Sequence, residues 1–190
     1  MAVGDSQTSI CNIGLIELGQ DPLTSIDDNC KAAILCRARW DSLRREMLAE
    51  RPWNCAKKQA VLAAKPESPL FSFANAFPLP ADFLGMVNLP DNDMAQWEIV
   101  GSDLYTDEAA PLKLLYIFDL QDVTRFTPLL SKCLGFSIGA ALAMPLTQDK
   151  KLRDQLTESW HEMLATAASV SSQQNSPVEW DVDVALRSRR

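Results

Sequence analysis

Apolar residues recur at helical spacing in both end regions of this chain, and a proline-rich middle region separates them. In the N-terminal part this spacing predicts a helix over residues 6–19, because Gly19 is suited to the C-terminal end of a helix. A second, long helix is predicted over residues 28–50. It follows Ser25-Ile-Asp-Asp28, which is similar to a capping box, and it stops before Pro52.

One face of the second predicted helix is apolar, and the rest carries arginines. The apolar residues follow one another at steps of three or four, which places them on a single stripe: Ala33, Cys36, Trp40, Leu43 and Met47. The arginines lie off this stripe: Arg37, Arg39, Arg44 and Arg45. We therefore expect the stripe to be buried and the arginines to belong to another face.

The most apolar part of the chain is residues 126–146. Thr127-Pro128 is suited to the N-cap and first position of a helix, so a helix is predicted over residues 128–144 and is expected to end at Pro145. This helix is apolar on most sides but carries a lysine and prolines, which indicates the central helix of a bundle rather than a membrane span. A last helix is predicted over residues 149–170.

Helical spacing is lost over residues 56–120, where short apolar runs alternate with prolines and Asp-Asn-Asp. Such runs, bounded by turn residues, predict strands: 61–63, 83–89, 97–100 and 112–118. The predicted fold class is therefore α+β, mainly α, with a bundle of about four helices and a small antiparallel β platform. We expect one domain over residues 1–170, followed by a flexible, extended tail over residues 171–190.

The tail alternates strictly between apolar and other residues after a polar linker. A period of two describes a half-buried strand, and the local sequence offers it no partner. This favours addition to the sheet or groove of another chain, and the alternative is a strand that completes this chain's own β platform. The candidate docking residues are the apolar positions and the terminal arginines: Val178, Trp180, Val182, Val184, Leu186, Arg187, Arg189 and Arg190.

Charge is segregated along the chain, whose formal net charge is −7. Residues 31–65 hold nine bases against three acids, whereas residues 66–112 hold eight acids and no base. The acidic total argues against a nucleic-acid reader, and blocks of both signs suit complementary faces of an oligomer, with an ordinary solvated surface as the alternative. The candidate residues for a subunit–subunit face are Arg37, Arg44, Arg45, Arg51, Lys57 and Lys58.

The sequence contains no recognisable catalytic motif. Its single histidine, His161, is predicted to be packed or on the surface, and its five cysteines are scattered without a C-x-x-C pair, which predicts reduced thiols in a cytosolic chain. Phosphate-binding loops and the G-x-S-x-G elbow are missing from the sequence. We therefore expect a structural subunit of a larger assembly, not an enzyme, with no catalytic residue, cofactor or metal site.

Several fragments, in chain order, resemble the head-to-tail connector adaptors of short-tailed bacteriophages, the tail tubular protein A-like family. The most recognisable is Arg51-Pro-Trp-Asn-Cys-Ala56, in which Cys55 stands where the family has an aromatic residue. The resemblance covers about residues 8–165. The other fragments are residues 10–19, 26–33, 36–48, 79–84, 104–112 with 115–117, and 141–147.

This resemblance implies a ring-forming subunit, typically with twelve copies, that docks beneath the portal protein after DNA packaging. The ring would extend the DNA channel and provide a platform for the nozzle protein and tail fibres. DNA would be only the cargo that passes through, and no membrane or cofactor would be involved. The expected location is the head-to-tail interface of the virion, with the host cytoplasm before assembly.

Two other functions remain open from the sequence. One is a peptidoglycan hydrolase associated with the phage tail, which rests on analogy alone. The other is a DNA-binding module that uses the basic block, including Arg39. Two tryptophans also have alternative roles: Trp53 is expected to be a core residue at the end of the second helix rather than a contact residue, and Trp180 is expected to be an anchor for a partner.

Overall fold

The computed structural model describes residues 6–92 and 94–173, with side chains described up to Ala167. In this part of the chain it contains four helices and two small antiparallel sheets, which confirms the predicted α+β, mainly α class. The helices are α1 (Gln7–Glu17), α2 (Lys31–Glu50), α3 (Pro128–Thr147) and α4 (Lys150–Gln173). The strands are β1 (Lys57–Leu62), β2 (Asn75–Pro78), β3 (Phe83–Asn88), β4 (Trp97–Val100), β5 (Asp103–Thr106) and β6 (Leu112–Phe118).

Helix α1 has a well-defined end on each side. Ser6 is its N-cap, and the Ser6 and Ser9 side chains each accept a hydrogen bond from the other residue's backbone N–H, which satisfies amide groups that the first turn would leave unpaired. At the other end Gly19 has a φ of +66°, a left-handed conformation that glycine adopts without steric cost. The predicted role of Gly19 is confirmed.

Helix α2 begins at Lys31, three residues after the predicted start at residue 28. The Asp28 carboxylate does accept from the backbone N–H of Ser25, as in a capping box, but it also accepts from Thr24. Together these bonds close a turn before the helix, and Cys30 is the N-cap without a side-chain bond. The prediction of a capping box at this helix start is therefore wrong.

Helix α3 does not end at Pro145, as the sequence predicted, but continues to Thr147. A proline in the last turn removes a single N–H group, which costs less than a break in the middle of a helix would. The helix ends instead at Gln148, which has a φ of +57° and donates its backbone N–H to the Met144 carbonyl. Helix α4 also runs past the predicted limit, so the predicted tail boundary at residue 171 falls inside it.

The β region consists of two sheets of three strands, not one platform. The first sheet has the order β1-β6-β3 and the second β2-β5-β4, and all pairs are antiparallel. Strands β2 and β5 had no counterpart among the predicted runs. Each has only four residues, and β2 ends in a proline, so neither has a strong strand signal.

Two hydrophobic cores share the first sheet. The larger lies among the four helices and continues to Ile117 within β6 and to Leu120 just after this strand. The smaller lies between the two sheets and includes Phe77, Leu104 and Tyr116. The first sheet therefore separates the helices from the second sheet.

Helix α3 is the centre of the bundle and contacts the other three helices. By length and hydropathy it could span a membrane, but 56% of its most apolar window is buried within the protein. Burial among neighbouring helices gives those apolar side chains a structural role in the core. This agrees with the prediction of a central bundle helix.

Candidate interaction surfaces

One of the six basic residues predicted to form a subunit face, Arg44, does not lie on the surface. Arg44 is only 3% exposed, and its guanidinium donates to the carboxylate of Asp119 and, at 2.9 Å, to the carbonyl oxygen of Leu120. The positive charge of Arg44 is therefore paired with an acid of the same chain. The prediction that Arg44 belongs to an interaction face is wrong, because Arg44 follows Trp40 by four residues and so falls on the buried stripe of α2.

Arg37 and Arg45 are exposed on α2, as predicted. They line a groove of about 500 Å³ that also contains Asp41 and Asp119. Arg37 donates to the carbonyl oxygen of Ile26 at 2.6 Å, whereas Arg45 lies 3.7 Å from Asp119. The groove therefore holds charges of both signs, which suits polar contacts better than the binding of a bare anion.

The remaining predicted bases lie along the start of the β region. Arg51 and Lys57 are half-buried, and Lys58 is exposed. The ammonium of Lys58 lies 5.4 Å from the centre of the Phe118 ring, and the guanidinium carbon of Arg125 lies 5.5 Å from the same centre. Two cations on one aromatic ring create a basic, partly apolar surface beside β1.

Asp82 connects this basic surface to the smaller core. Its carboxylate accepts from the Lys58 ammonium at 2.8 Å and from the buried Tyr116 hydroxyl at 2.9 Å. The hydrogen bond from Lys58 holds the pKa of Asp82 below its ordinary value, and burial together with the bond to Asp82 raises the pKa of Tyr116. The hydrogen bonds of Asp82 with Lys58 and Tyr116 connect the loop before β3 to β1 and β6.

Strand β4 carries an exposed apolar surface that sequence patterning did not identify as a site. All four of its residues are exposed, including Trp97 at 43%, Ile99 and Val100. Beside it, Leu70 and Phe71 are largely exposed and border a groove of about 380 Å³ with Glu98, Val100 and Tyr105. The run 97–100 predicted the strand, but only the strand order places it at a sheet edge, and the structure leaves its side chains exposed on both faces.

Most of the acids in the block 66–112 that the structure describes lie around these two sheets. Three of them form ion pairs with lysines: Asp82 with Lys58, Asp103 with Lys65 and Asp91 with Lys113. Others are exposed, among them Glu67, Glu98 and Asp107. The acids of this block therefore lie mostly in the β region, where lysines of the same chain pair with three of them and Glu98 on β4 stays exposed.

The cysteine thiols and the histidine are the remaining side chains that could be reactive. The cysteines are free thiols, of which Cys30 is exposed. A hydrogen bond to Cys36, together with burial, raises the pKa of the Cys11 thiol. His161 is exposed beside the Trp160 ring, and no cluster of three or more metal-ligating residues occurs in the part of the chain that the structure describes.

Trp53 is a core residue, as predicted. It is 6% exposed, and its indole N–H donates to the Met47 carbonyl at 2.8 Å, which ties the chain after Pro52 back onto the last turns of α2. The candidate docking residues of the tail, from Val178 to Arg190, lie outside the described residues. Their role in partner binding stays a prediction.

Comparison with known proteins adds no family assignment. Neither the models of known protein families nor the curated protein sequences yield a match to this chain. The resemblance to the connector adaptors therefore rests on the ordered fragments of the sequence.

Proposed function

We propose that this chain is a structural virion protein of a short-tailed phage: a ring-forming head-to-tail adaptor. It docks under the portal protein, extends the DNA channel and provides a platform for the nozzle protein and tail fibres. The observation that carries the proposal is the exposed apolar edge at β4, with Trp97, Ile99 and Val100 open to solvent. Exposed apolar patches of this kind mark sites of protein–protein contact.

The distribution of charge supports an assembly of identical subunits. Glu98 on β4 and Asp107 after β5 are exposed acids, whereas exposed bases lie on α2 and β1. A surface of each sign on one subunit allows head-to-tail contacts, which close into a ring when the rotation between subunits permits it. We propose a ring of twelve copies, through which DNA passes only as cargo.

The tail supplies the contact to the portal in this proposal. Its apolar positions alternate over Val178–Leu186 and are followed by Arg187, Arg189 and Arg190. A segment of this kind can order on a partner's surface and so make assembly depend on the presence of that partner. Before assembly the subunit resides in the host cytoplasm, and afterwards it belongs to the head-to-tail interface of the virion.

The test is the mass of the purified protein in solution, alone and mixed with the portal protein, by light scattering. We expect a ring of about twelve subunits in the mixture and a smaller species for the protein alone. A mixture that contains only unassociated subunits and portal would overturn the proposal.

A chain without residues 178–190 serves as the matched variant. It should remain folded by circular dichroism and lose binding to the portal, and normal portal binding would show that the tail is not the docking segment. A zymogram on the intact protein tests the hydrolase alternative. Clearing of peptidoglycan that disappears in single Glu→Ala variants would replace the adaptor by an enzyme.

A further inference from the structure

We propose that β4 of one copy pairs edge to edge with β1 of the next copy, so that the second sheet of one subunit continues into the first sheet of its neighbour. This inference rests on the proposed ring and names the contact that builds it. Both strands are terminal in their sheets, β1 in the first and β4 in the second. Each therefore presents one side without a strand partner among the described residues.

The four edges of the two sheets are protected to different degrees. Proteins shield sheet edges with prolines, bulges and lysines, because an open edge can pair with another chain. Strand β2 ends in Pro78, and its Ala76 carbonyl accepts from the backbone of Lys65. Strand β3 has two register shifts, and β1 carries Lys57 and Lys58. Strand β4 has none of these devices and exposes apolar side chains instead.

The backbone of β4 offers regularly spaced hydrogen-bonding groups to a partner. Gly101 and Ser102 form a two-residue turn between β4 and β5, with Gly101 at a φ of +64°. Val100 and Asp103 are partners on either side of this turn. Residues that flank a two-residue hairpin turn exchange hydrogen bonds and every second pair does the same, so Glu98 also bonds to β5. The N–H and C=O groups of Trp97 and Ile99 therefore point toward the open edge.

Charge selects β1 of a second copy as the occupant. Strand β4 carries the exposed Glu98, whereas β1 carries Lys57 and Lys58, of which Lys58 also pairs with Asp82 of its own subunit. Strand β1 adds an apolar contact through Val61, which is 67% exposed. Opposite charges across a strand pair stabilise it and like charges destabilise it. Two β4 strands paired with each other would bring their Glu98 carboxylates close together.

The location of the two edges gives the contact a direction. Because β4 and β1 belong to different sheets, their pairing uses two different surfaces of each subunit. Such a head-to-tail contact propagates around a ring, whereas contact of β4 with β4 would stop at a dimer. Lysines on β1 also discourage pairing with any edge that lacks an acid, which adds specificity.

The first experiment detects the contact directly. Equal amounts of ¹⁴N- and ¹⁵N-labelled protein are assembled with the portal, and a carbodiimide then joins carboxylates to lysines that touch. We expect mixed-label peptides that link Glu98 to Lys57 or Lys58. Mixed-label peptides that link Glu98 only to other lysines would overturn the inference.

The second experiment blocks the edge. Ile99→Pro removes an outward N–H without touching the bonds to β5, whereas Ile99→Val keeps that group as a matched control. We expect Ile99→Pro to raise the protein concentration needed for half-maximal ring formation about tenfold relative to Ile99→Val, because main-chain hydrogen bonds of the contact are lost. Equal concentrations for the two variants would contradict the inference.

A charge exchange covers the case in which the proline variant fails to fold. Glu98→Lys should weaken ring formation, and adding Lys57→Glu in the same chain should restore it, because each contact regains opposite charges. Absence of this rescue would overturn the pairing of β4 with β1. If wild-type protein forms no ring with the portal, the proposed function itself fails, whereas a wild-type ring that the variants leave unchanged refutes only this inference.

Discussion

Replacing Arg44 by Met tests whether this arginine stabilises the fold rather than an interface. Arg44 is 3% exposed, and its partner Asp119 is 17% exposed. Removing one member of a buried ion pair costs about 3–5 kcal/mol, because the remaining charge stays in a poorly solvated place. Met retains much of the aliphatic volume, so the loss arises from the guanidinium.

The structure places the expected loss near the lower end of that range. Asp119 keeps some contact with water, and Arg45 lies 3.7 Å from its second oxygen and partly compensates the charge. The carbonyl of Leu120 also loses its bond to Arg44. We therefore expect Arg44→Met to lower the free energy of unfolding by about 3 kcal/mol.

The assay is urea denaturation followed by circular dichroism, with Arg45→Met as the matched control. Arg45 is 58% exposed, so its replacement should change the free energy of unfolding by no more than about 0.5 kcal/mol. In the double variant Arg44→Met/Asp119→Leu most of the loss should be recovered, since no buried charge is left alone. Equal stabilities of Arg44→Met and Arg45→Met would refute the reasoning.

Three further predictions address packing, pH and thiol reactivity. A Cβ at Gly14 would lie 2.4 Å from the Gly135 carbonyl oxygen, so Gly14→Ala should lower the melting temperature despite a helix-propensity gain of about 1 kcal/mol, and a variant that melts higher would contradict this. The hydrogen bond from Lys58 holds the pKa of Asp82 below 3.8, so the charged Asp82 stabilises the fold above pH 3.8, and this contribution is lost as the pH falls through the lower, folded-state pKa. In an acid titration, the free energy of unfolding of Asp82→Asn should therefore fall less steeply below about pH 4 than that of the wild type. Iodoacetamide should modify the exposed Cys30 before Cys133 in the native protein, because burial shields the Cys133 thiol and raises its pKa. Equal labelling of the two cysteines by mass spectrometry would exclude this order.

Local signals in the sequence predicted the features that depend on neighbouring residues. Thr127 and Pro128 define the start of α3, since one side chain caps the helix and the other has a suitable backbone angle. Gly19 ends α1 for a comparable reason, as its φ of +66° is accessible to glycine without strain. The apolar stripe of α2 and the class of the fold follow from spacing along the chain, which the sequence displays directly.

Features that depend on distant contacts were predicted poorly. The sequence suited Asp28 to a helix cap, but in the structure its carboxylate also accepts a hydrogen bond from Thr24 and closes a turn before the helix. Strand β2 forms because β5 pairs with it across a long stretch of chain, although its four residues carry little strand preference. Here tertiary pairing, not local preference, decides the element.

The interaction surfaces show the same division. Sequence alone determined that the bases and acids are segregated, that α3 is apolar on most sides and that the middle region forms strands. Only the tertiary structure decided that Arg44 lies inside, because its partner Asp119 is 75 positions away along the chain. It also decided that β4 is an edge strand, since strand order is a property of the folded chain, and that the Ile99 side chain stays exposed on its face of the sheet.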